Sequence, residues 1–169
     1  MTSSDDGLPL IPVDEAVIII TNILDAPRRL VWAAFTTPEH VKNWYGGHGY
    51  SNPVCEMDVR PGGRWRHVMR TPAGIEIGME FVFVDVVKPQ KLSWRDVDDA
   101  KPIIAKPSSL NTMTFEDLGA RTRSTFVARF SSLSARAVAV SWGFTSVMAQ
   151  GDERLRTVLG GIKRAAGDH

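Results

Sequence analysis

The chain has 169 residues, a formal net charge of +1 and a single cysteine. This length suits one domain with a substantial core, and the near-neutral charge gives no global field for binding nucleic acid or an anionic membrane. One cysteine excludes an intramolecular disulfide and a multi-cysteine zinc site, so we expect a reduced, cytoplasmic setting.

The N-terminal part predicts a leader, a strand and two short helices. Residues 1–13 are polar and contain proline, which predicts a disordered leader and not a signal peptide. The β-branched run Glu15–Asn22 predicts the first strand, and its apolar stretch is much shorter than the roughly 20 residues that span a bilayer. Asp25–Pro27 predicts a helix capped by the aspartate, and Thr37–Glu39 predicts a second helix that ends near Trp44.

Strand signals dominate the middle of the chain. On one of these strands Trp65, His67 and Met69 share a face, because strand side chains alternate, and we expect that face to meet a core or a cavity. Residues 96–108 are charged and contain prolines, which predicts a long loop that is either mobile or a lid. The predicted strands are Val54–Arg60, Gly63–Arg70, Ile75–Val87, Lys91–Arg95, Leu110–Asp117 and Arg121–Phe130.

The C-terminal part changes to a helical period. Apolar residues at helical spacing predict one helix over Ala135–Leu159, about 38 Å long, capped by Ser132 or Ser134 and ending at Gly160–Gly161. The order of elements predicts an α+β fold, with an antiparallel sheet of about six to seven strands against the long helix. One domain is expected over residues 14–162, followed by a tail over residues 163–169.

Three segments carry a family resemblance: Phe35–Tyr45, Met57–Trp65 and Lys88–Trp94. They resemble the SRPBCC (START/birch-allergen-like) superfamily and, within it, bacterial homologues of the activator of heat-shock protein 90 ATPase, over about Ala16–Leu159. The resemblance implies a helix-grip fold, in which a curved antiparallel sheet wraps around the C-terminal helix and leaves a cavity between them. Relatives commonly have proline where this chain has Gly47, which implies a looser cavity mouth.

Three groups of side chains are candidates for lining that cavity. Trp65, His67 and Met69 form the first, with His67 as a hydrogen-bond partner or proton shuttle. The alternative is a core face in which the histidine is satisfied by a neighbour.

The second group surrounds the glycine-rich loop at residues 46–49. Trp44, Tyr45, His48 and Tyr50 are suited to an aromatic gate that closes over an apolar ligand. The alternative is that Trp44 plugs one end of the domain and the other three are surface residues.

The third group consists of large, adaptable side chains on the later strands and the last helix, of which we expect a part to touch a cavity and the rest to be ordinary core. Its members are Met79, Phe81, Phe83, Trp94, Met113, Phe115, Phe126, Phe144 and Met148.

Motifs for other chemistry are missing from the sequence. It contains no zinc-protease, nucleophile-elbow or phosphate-loop pattern, and its histidines lack metal-ligand spacing, so no metal and no cofactor are expected. Nucleic-acid binding is not expected, because the arginines of the last strand have no stacking aromatics between them.

The leading hypothesis is a domain that binds a small apolar or aromatic molecule. A second is a cyclase- or hydrolase-like enzyme that uses His67 with a carboxylate or a tyrosine. A third is a protein-interaction role, either co-chaperone-like or as a homodimer, which requires an exposed apolar patch.

Overall fold

A computed structural model describes residues 7–97 and 108–167 of the chain. The strands and helices follow one another in the order that the sequence predicts, and the α+β helix-grip fold is confirmed. The loop predicted over residues 96–108 lies mostly outside the described residues. In chain order the elements are β1 (Pro9–Leu10), β2 (Val17–Leu24), α1 (Arg28–Thr36), α2 (Pro38–Trp44), β3 (Ser51–Met57), β4 (Arg64–Arg70), β5 (Glu76–Val87), β6 (Lys91–Asp96), β7 (Ser109–Asp117), β8 (Thr122–Phe130), α3 (Leu133–Ser141) and α4 (Phe144–Ala165).

The strands form one antiparallel sheet in the order β1-β2-β8-β7-β6-β5-β4-β3. Its eight strands exceed the six to seven predicted because Pro9–Leu10 pairs with Ile19 and Ile20 of β2. Because β1 has only two residues, one of them proline, it shows no alternation pattern and cannot be recognised in the sequence. It lies inside the segment predicted to be a disordered leader.

The two faces of β4 differ as alternation predicts. Trp65 and His67 point inward and are 3% and 1% exposed. The arginines of β4 point outward and form ion pairs with glutamates of neighbouring strands, among them Arg64 with Glu80 at 3.6 Å. The inner face of the sheet is therefore the face that packs against the helices.

The predicted single C-terminal helix is in fact two helices. Gly143 takes a left-handed φ of 89° between α3 and α4, a conformation that glycine adopts without strain. The Ser132 side chain accepts a hydrogen bond from the Ala135 amide at 3.0 Å and caps α3, which identifies the cap among the two serines predicted. The predicted end at Gly160–Gly161 is wrong, because α4 continues through both glycines to Ala165. It therefore includes the first residues of the stretch predicted as a tail.

The predicted cap at Asp25 is also wrong. Pro27 occupies the N-cap of α1, and no side chain caps that position. The Asp25 carboxylate instead lies 3.5 Å from Lys163 Nζ near the end of α4. An ion pair between distant segments thus replaces the local hydrogen bond that the sequence predicts.

Helix α4 lies across the inner face of the sheet. Leu155 and Leu159 are 1% and 2% exposed, and Gly151 is buried where α4 meets the loop after α2. A Cβ at Gly151 would stand 3.4 Å from the Gly46 carbonyl oxygen, so the glycine permits this close approach. None of the described helices is sufficiently long and apolar to cross a membrane.

Candidate functional site

His67 lies at the centre of the inner face, with both ring nitrogens engaged. The Trp65 indole N–H donates to His67 Nδ1 at 3.2 Å, and His67 Nε2 lies 2.7 Å from Asn52 Oδ1. Because an indole can only donate, Nδ1 accepts, and Nε2 therefore carries the proton that it donates to Asn52. Burial lowers the pKa of His67 to about 4, so the ring is neutral at physiological pH.

Asn52 connects this histidine to the end of α2. Its Nδ2 donates to the carbonyl oxygens of Lys42 at 2.8 Å and Tyr45 at 3.0 Å. The side chain is 8% exposed, and it satisfies carbonyls that the end of a helix leaves unpaired. The sequence interpretation missed Asn52, because an asparagine before a proline is typical of a turn.

Arg154 holds the same loop from the side of α4. Its Nη1 donates to the carbonyls of Tyr45 at 3.0 Å and Gly47 at 2.9 Å, and more weakly to that of Gly46 at 3.3 Å. Its Nη2 donates to the Asn43 carbonyl at 3.0 Å. The loop assigned to an aromatic gate is therefore fastened to α4 along its backbone.

Two other members of the predicted gate, His48 and Tyr50, contact α4 and the loop itself. His48 is exposed, and its Nε2 lies 2.7 Å from the Glu153 carboxylate. The Tyr50 ring packs over the loop glycines, since a Cβ at Gly46 or Gly47 would stand about 3.2 or 3.1 Å from it. His48 thus sits on the surface, away from the inner face where a cavity-lining residue would be.

Trp44 and Met69 pack beside this loop. The Trp44 indole N–H donates to the Ala34 carbonyl at 2.9 Å, and its ring meets Phe35 with centroids 4.9 Å apart. This contact fits the interpretation of Trp44 as a plug at the end of the domain. A Cβ at Gly46 would stand 2.7 Å from Met69 Sδ, so this methionine lies directly beneath the loop.

Most of the third candidate group forms a continuous buried core. The Trp65 ring meets Phe81 at 4.9 Å and Trp94 at 5.7 Å, and Trp94 meets Phe126 at 6.1 Å. Six members of the group lie in this core, and none is more than 8% exposed: Phe81, Phe83, Trp94, Met113, Phe115 and Phe126.

Several large side chains pack against that core and yet are only partly buried. Among them are Tyr45, Met79, Phe144 and Met148. Met79 pairs with His67 across β4 and β5, which puts its side chain on the inner face. Phe144 and Met148 lie on the first two turns of α4, and Phe144 stacks on Phe126 at 6.4 Å. The four residues thus belong to the sheet, to the loop and to the N-terminal half of α4.

Tyr45 contacts both the buried core, at Trp65, and the partly buried Met79. Its ring lies 4.4 Å from His67 and 5.6 Å from Trp65, and its hydroxyl donates to Met79 Sδ at 3.8 Å. Burial, followed by the charge of Asp96, raises the pKa of Tyr45 well above its usual range. The hydroxyl therefore remains a neutral hydrogen-bond donor.

Groups for other chemistry are not assembled in the described part of the chain. No cluster of three or more His, Cys, Asp or Glu side chains there is arranged to hold a metal ion. Burial raises the pKa of the Cys55 thiol to about 11, so it is protonated at neutral pH and is a poor nucleophile.

Comparisons with known proteins identify both a family and a fold for this chain. The family described as Activator of Hsp90 ATPase homolog 1-like protein matches residues 25–159. A crystal structure of a Nitrosomonas europaea protein is 26% identical, with a TM-score of 0.81 over 91% of this chain and 99% of that one. A solution structure from Arthrobacter aurescens is 22% identical, with a TM-score of 0.82 over 90% and 91% of the two chains.

A crystal structure from Mycobacterium smegmatis is 24% identical, with a TM-score of 0.79 over 89% of this chain and 94% of that one. At 22% and 24% identity, the Arthrobacter and Mycobacterium structures show a shared fold alone. A search of curated protein sequences finds no match.

Proposed function

We propose, since the chain belongs to the family of Activator of Hsp90 ATPase homolog 1-like proteins, that it binds a small, largely apolar molecule between the sheet and the N-terminal half of α4. Ligand binding is typical of this fold family, although a fold by itself does not name a function. The proposal therefore depends on the side chains that this chain places there.

One observation carries the proposal, namely the partial exposure of Tyr45, Met79, Phe144 and Met148 beside a closed core. Large side chains that pack on a core and still retain accessible surface can contact a small apolar molecule without opening that core. Methionine is flexible and polarizable, so two methionines in such a wall can adapt to ligands of different shape.

The composition of this wall suits an apolar ligand. Pockets for small molecules are mostly apolar and aromatic, with a few polar groups that fix the orientation of the ligand. Here the polar groups are the Tyr45 hydroxyl and the Asp96 carboxylate, which lies on the inner face because Asp96 pairs with Phe81. The remaining wall consists of thioethers and aromatic rings.

The contacts of His67 disfavour the enzymatic alternative. A general base needs a nitrogen that is free to take a proton and a pKa near the working pH. His67 Nδ1 accepts from Trp65, Nε2 donates to Asn52, and the pKa is about 4. The histidine is better explained as a structural connection between β4 and the end of α2.

A second candidate function is a protein-interaction role through a second copy of the chain. It is favoured by exposed apolar side chains on α3 and at its C-cap, where Leu133, Val138 and Trp142 are 46%, 40% and 55% exposed. Light scattering after size exclusion tests it directly. A dimer that becomes monomeric in Trp142→Ser would support this role, and a monomeric wild type at high concentration would contradict it.

A filled-site variant tests the proposed binding function. The neutral dye N-phenyl-1-naphthylamine is expected to gain fluorescence with the wild type, and Met148→Trp is expected to weaken its binding at least tenfold. Val84→Trp is the matched control, because Val84 is 40% exposed and the variant introduces the same side chain away from the inner face. No fluorescence gain, or equal loss in both variants, would contradict the proposal.

A further inference from the structure

Three asparagines are buried in the fold, and two of them are paired at both ends of the amide. Asn22, Asn52 and Asn111 are 5%, 8% and 7% exposed. Asn22 Nδ2 donates to the Asp152 carboxylate at 3.0 Å, and its Oδ1 accepts from Arg156 at 3.1 Å. Asn52 likewise uses both its nitrogen and its oxygen. These two amides thus follow the rule that buried polar groups are hydrogen-bonded.

The third amide, that of Asn111, is paired at its oxygen alone. Asn111 Oδ1 accepts a hydrogen bond from Ser109 Oγ at 2.8 Å, and no acceptor for Nδ2 is present among the described residues. Every fully enclosed side-chain nitrogen or oxygen in the described part of the chain has a partner, so this nitrogen retains some accessible surface. Nδ2 is therefore a donor that a bound molecule can reach.

The strand register places Asn111 beside the proposed ligand site. Asn111 pairs with Ala128 of β8, which is completely buried. The Phe144 ring lies 6.4 Å from Phe126 and 5.9 Å from Phe130, the two residues that flank Ala128 on the same face of β8. Side chains that are directly opposite on neighbouring strands have Cβ atoms about 5 Å apart. The Asn111 amide therefore lies one strand away from the position that Phe144 covers.

Resting on the proposed function, we propose that Asn111 determines the specificity of the site by binding a carbonyl oxygen of an otherwise apolar ligand. The ligand oxygen accepts a hydrogen bond from Asn111 Nδ2, while the apolar part packs against Phe144 and Met148. The bond with Ser109 fixes the orientation of the amide. A hydrocarbon of the same shape binds less well, because it covers the donor and leaves it without an acceptor.

Two bicyclic probes of similar shape test the role of the amide. 1-Tetralone carries a carbonyl group where tetralin carries a methylene group, and competition against N-phenyl-1-naphthylamine with the full chain gives both affinities. The decisive quantity is the ratio of the two affinities in the wild type relative to that in Asn111→Leu, since this comparison cancels the different hydration of the probes. We expect the preference for the ketone to fall about tenfold in the variant, as one lost hydrogen bond allows. Asn111→Ala removes the amide without adding bulk and should give the same fall.

Thermal unfolding separates a binding role of Asn111 from a structural one. Asn111→Leu should unfold at a temperature no lower than the wild type, because an apolar side chain replaces an incompletely paired amide. Asn52→Leu is the matched comparison and should unfold at least about 4 °C lower, since the Lys42 and Tyr45 carbonyls lose their donor. A loss in Asn111→Leu as large as that in Asn52→Leu would overturn the inference.

The binding outcomes distinguish this inference from the proposed function. If both probes bind and the ratio of their affinities is unchanged in Asn111→Leu and Asn111→Ala, the role of Asn111 is overturned and the binding function is left intact. A tenfold fall in the ratio in both variants supports the inference. Failure of N-phenyl-1-naphthylamine and of both bicyclic probes to bind the wild type would overturn both.

Discussion

The two halves of α4 contact the same sheet in different ways. In the C-terminal half, Leu155 and Leu159 are fully buried, and one turn before them Gly151 lets the helix touch the loop after α2. In the N-terminal half, Phe144 and Met148 face the same side and remain partly exposed. One half of the helix thus stabilises the fold, while the other retains the accessible apolar surface at which we propose that a ligand binds, and the residues between them set the boundary.

Truncating one side chain in each half gives the largest expected difference. Leu155→Ala should lower the free energy of unfolding by about 2–5 kcal/mol, because it leaves a cavity in a closed core. Met148→Ala should cost about 1 kcal/mol or less, since its side chain is already partly exposed. Urea denaturation measures both, and equal losses would break the distinction between the halves.

The boundary between the two halves of α4 depends on Arg154. Arg154→Ala removes the donor that the backbone carbonyls of the loop share, and we expect a loss of about 2–3 kcal/mol. Hydrogen exchange should then show faster exchange of the loop amides at residues 46–49. Arg164→Ala, at an exposed position ten residues later, is the control and should change neither quantity. Unchanged loop protection in Arg154→Ala would contradict the proposed fastening.

The His67 connection predicts a pH dependence of stability. The folded pKa of about 4 lies below the unfolded value of about 6.5, so the unfolded chain binds more protons between these pH values. Stability from this group is therefore full above pH 6.5 and falls as the pH drops toward 4. Relative to His67→Gln, the wild type should lose about 2 kcal/mol between pH 7 and pH 5. Parallel pH profiles for the two proteins would show that the ring is not held neutral.

The smallest expected effect on stability concerns the C-terminal end of α4. Gly161 is inside α4, where alanine is favoured, and a Cβ there would meet only the flexible Arg164 side chain at 3.9 Å. Gly161→Ala should therefore raise the free energy of unfolding by about 0.5–1 kcal/mol. A destabilised variant would argue that the helix ends at the glycines after all.

Local patterns in the sequence predicted what depends on nearest neighbours. Alternation in β4 placed Trp65 and His67 on the inner face, and the serine before α3 identified its cap. These features depend on spacings of two to four residues, which the sequence displays directly. The order of elements, and with it the fold, follows from the same kind of pattern.

Features that depend on distant residues could not be predicted in this way. The sequence leaves His48 open between a gate and a surface position, because its partner Glu153 is 105 positions away, and Asn52 lies 15 residues before the histidine that it binds. Helix α4 continues through Gly160–Gly161, because tertiary packing overrides the low helix propensity of glycine. The candidate site therefore emerges from exposure in the folded chain, not from a motif.

Methyl NMR of the chain's methionines tests the central claim most directly. With N-phenyl-1-naphthylamine as the probe, the Met79 and Met148 methyl resonances should shift, because the proposed site brings the ligand against these two partly buried side chains. Met113, which is 5% exposed in the closed core, provides the internal control and should not shift. Saturable shifts confined to Met79 and Met148 are the predicted result. No shift in either, or larger shifts in Met113, would contradict a ligand site at the N-terminal half of α4.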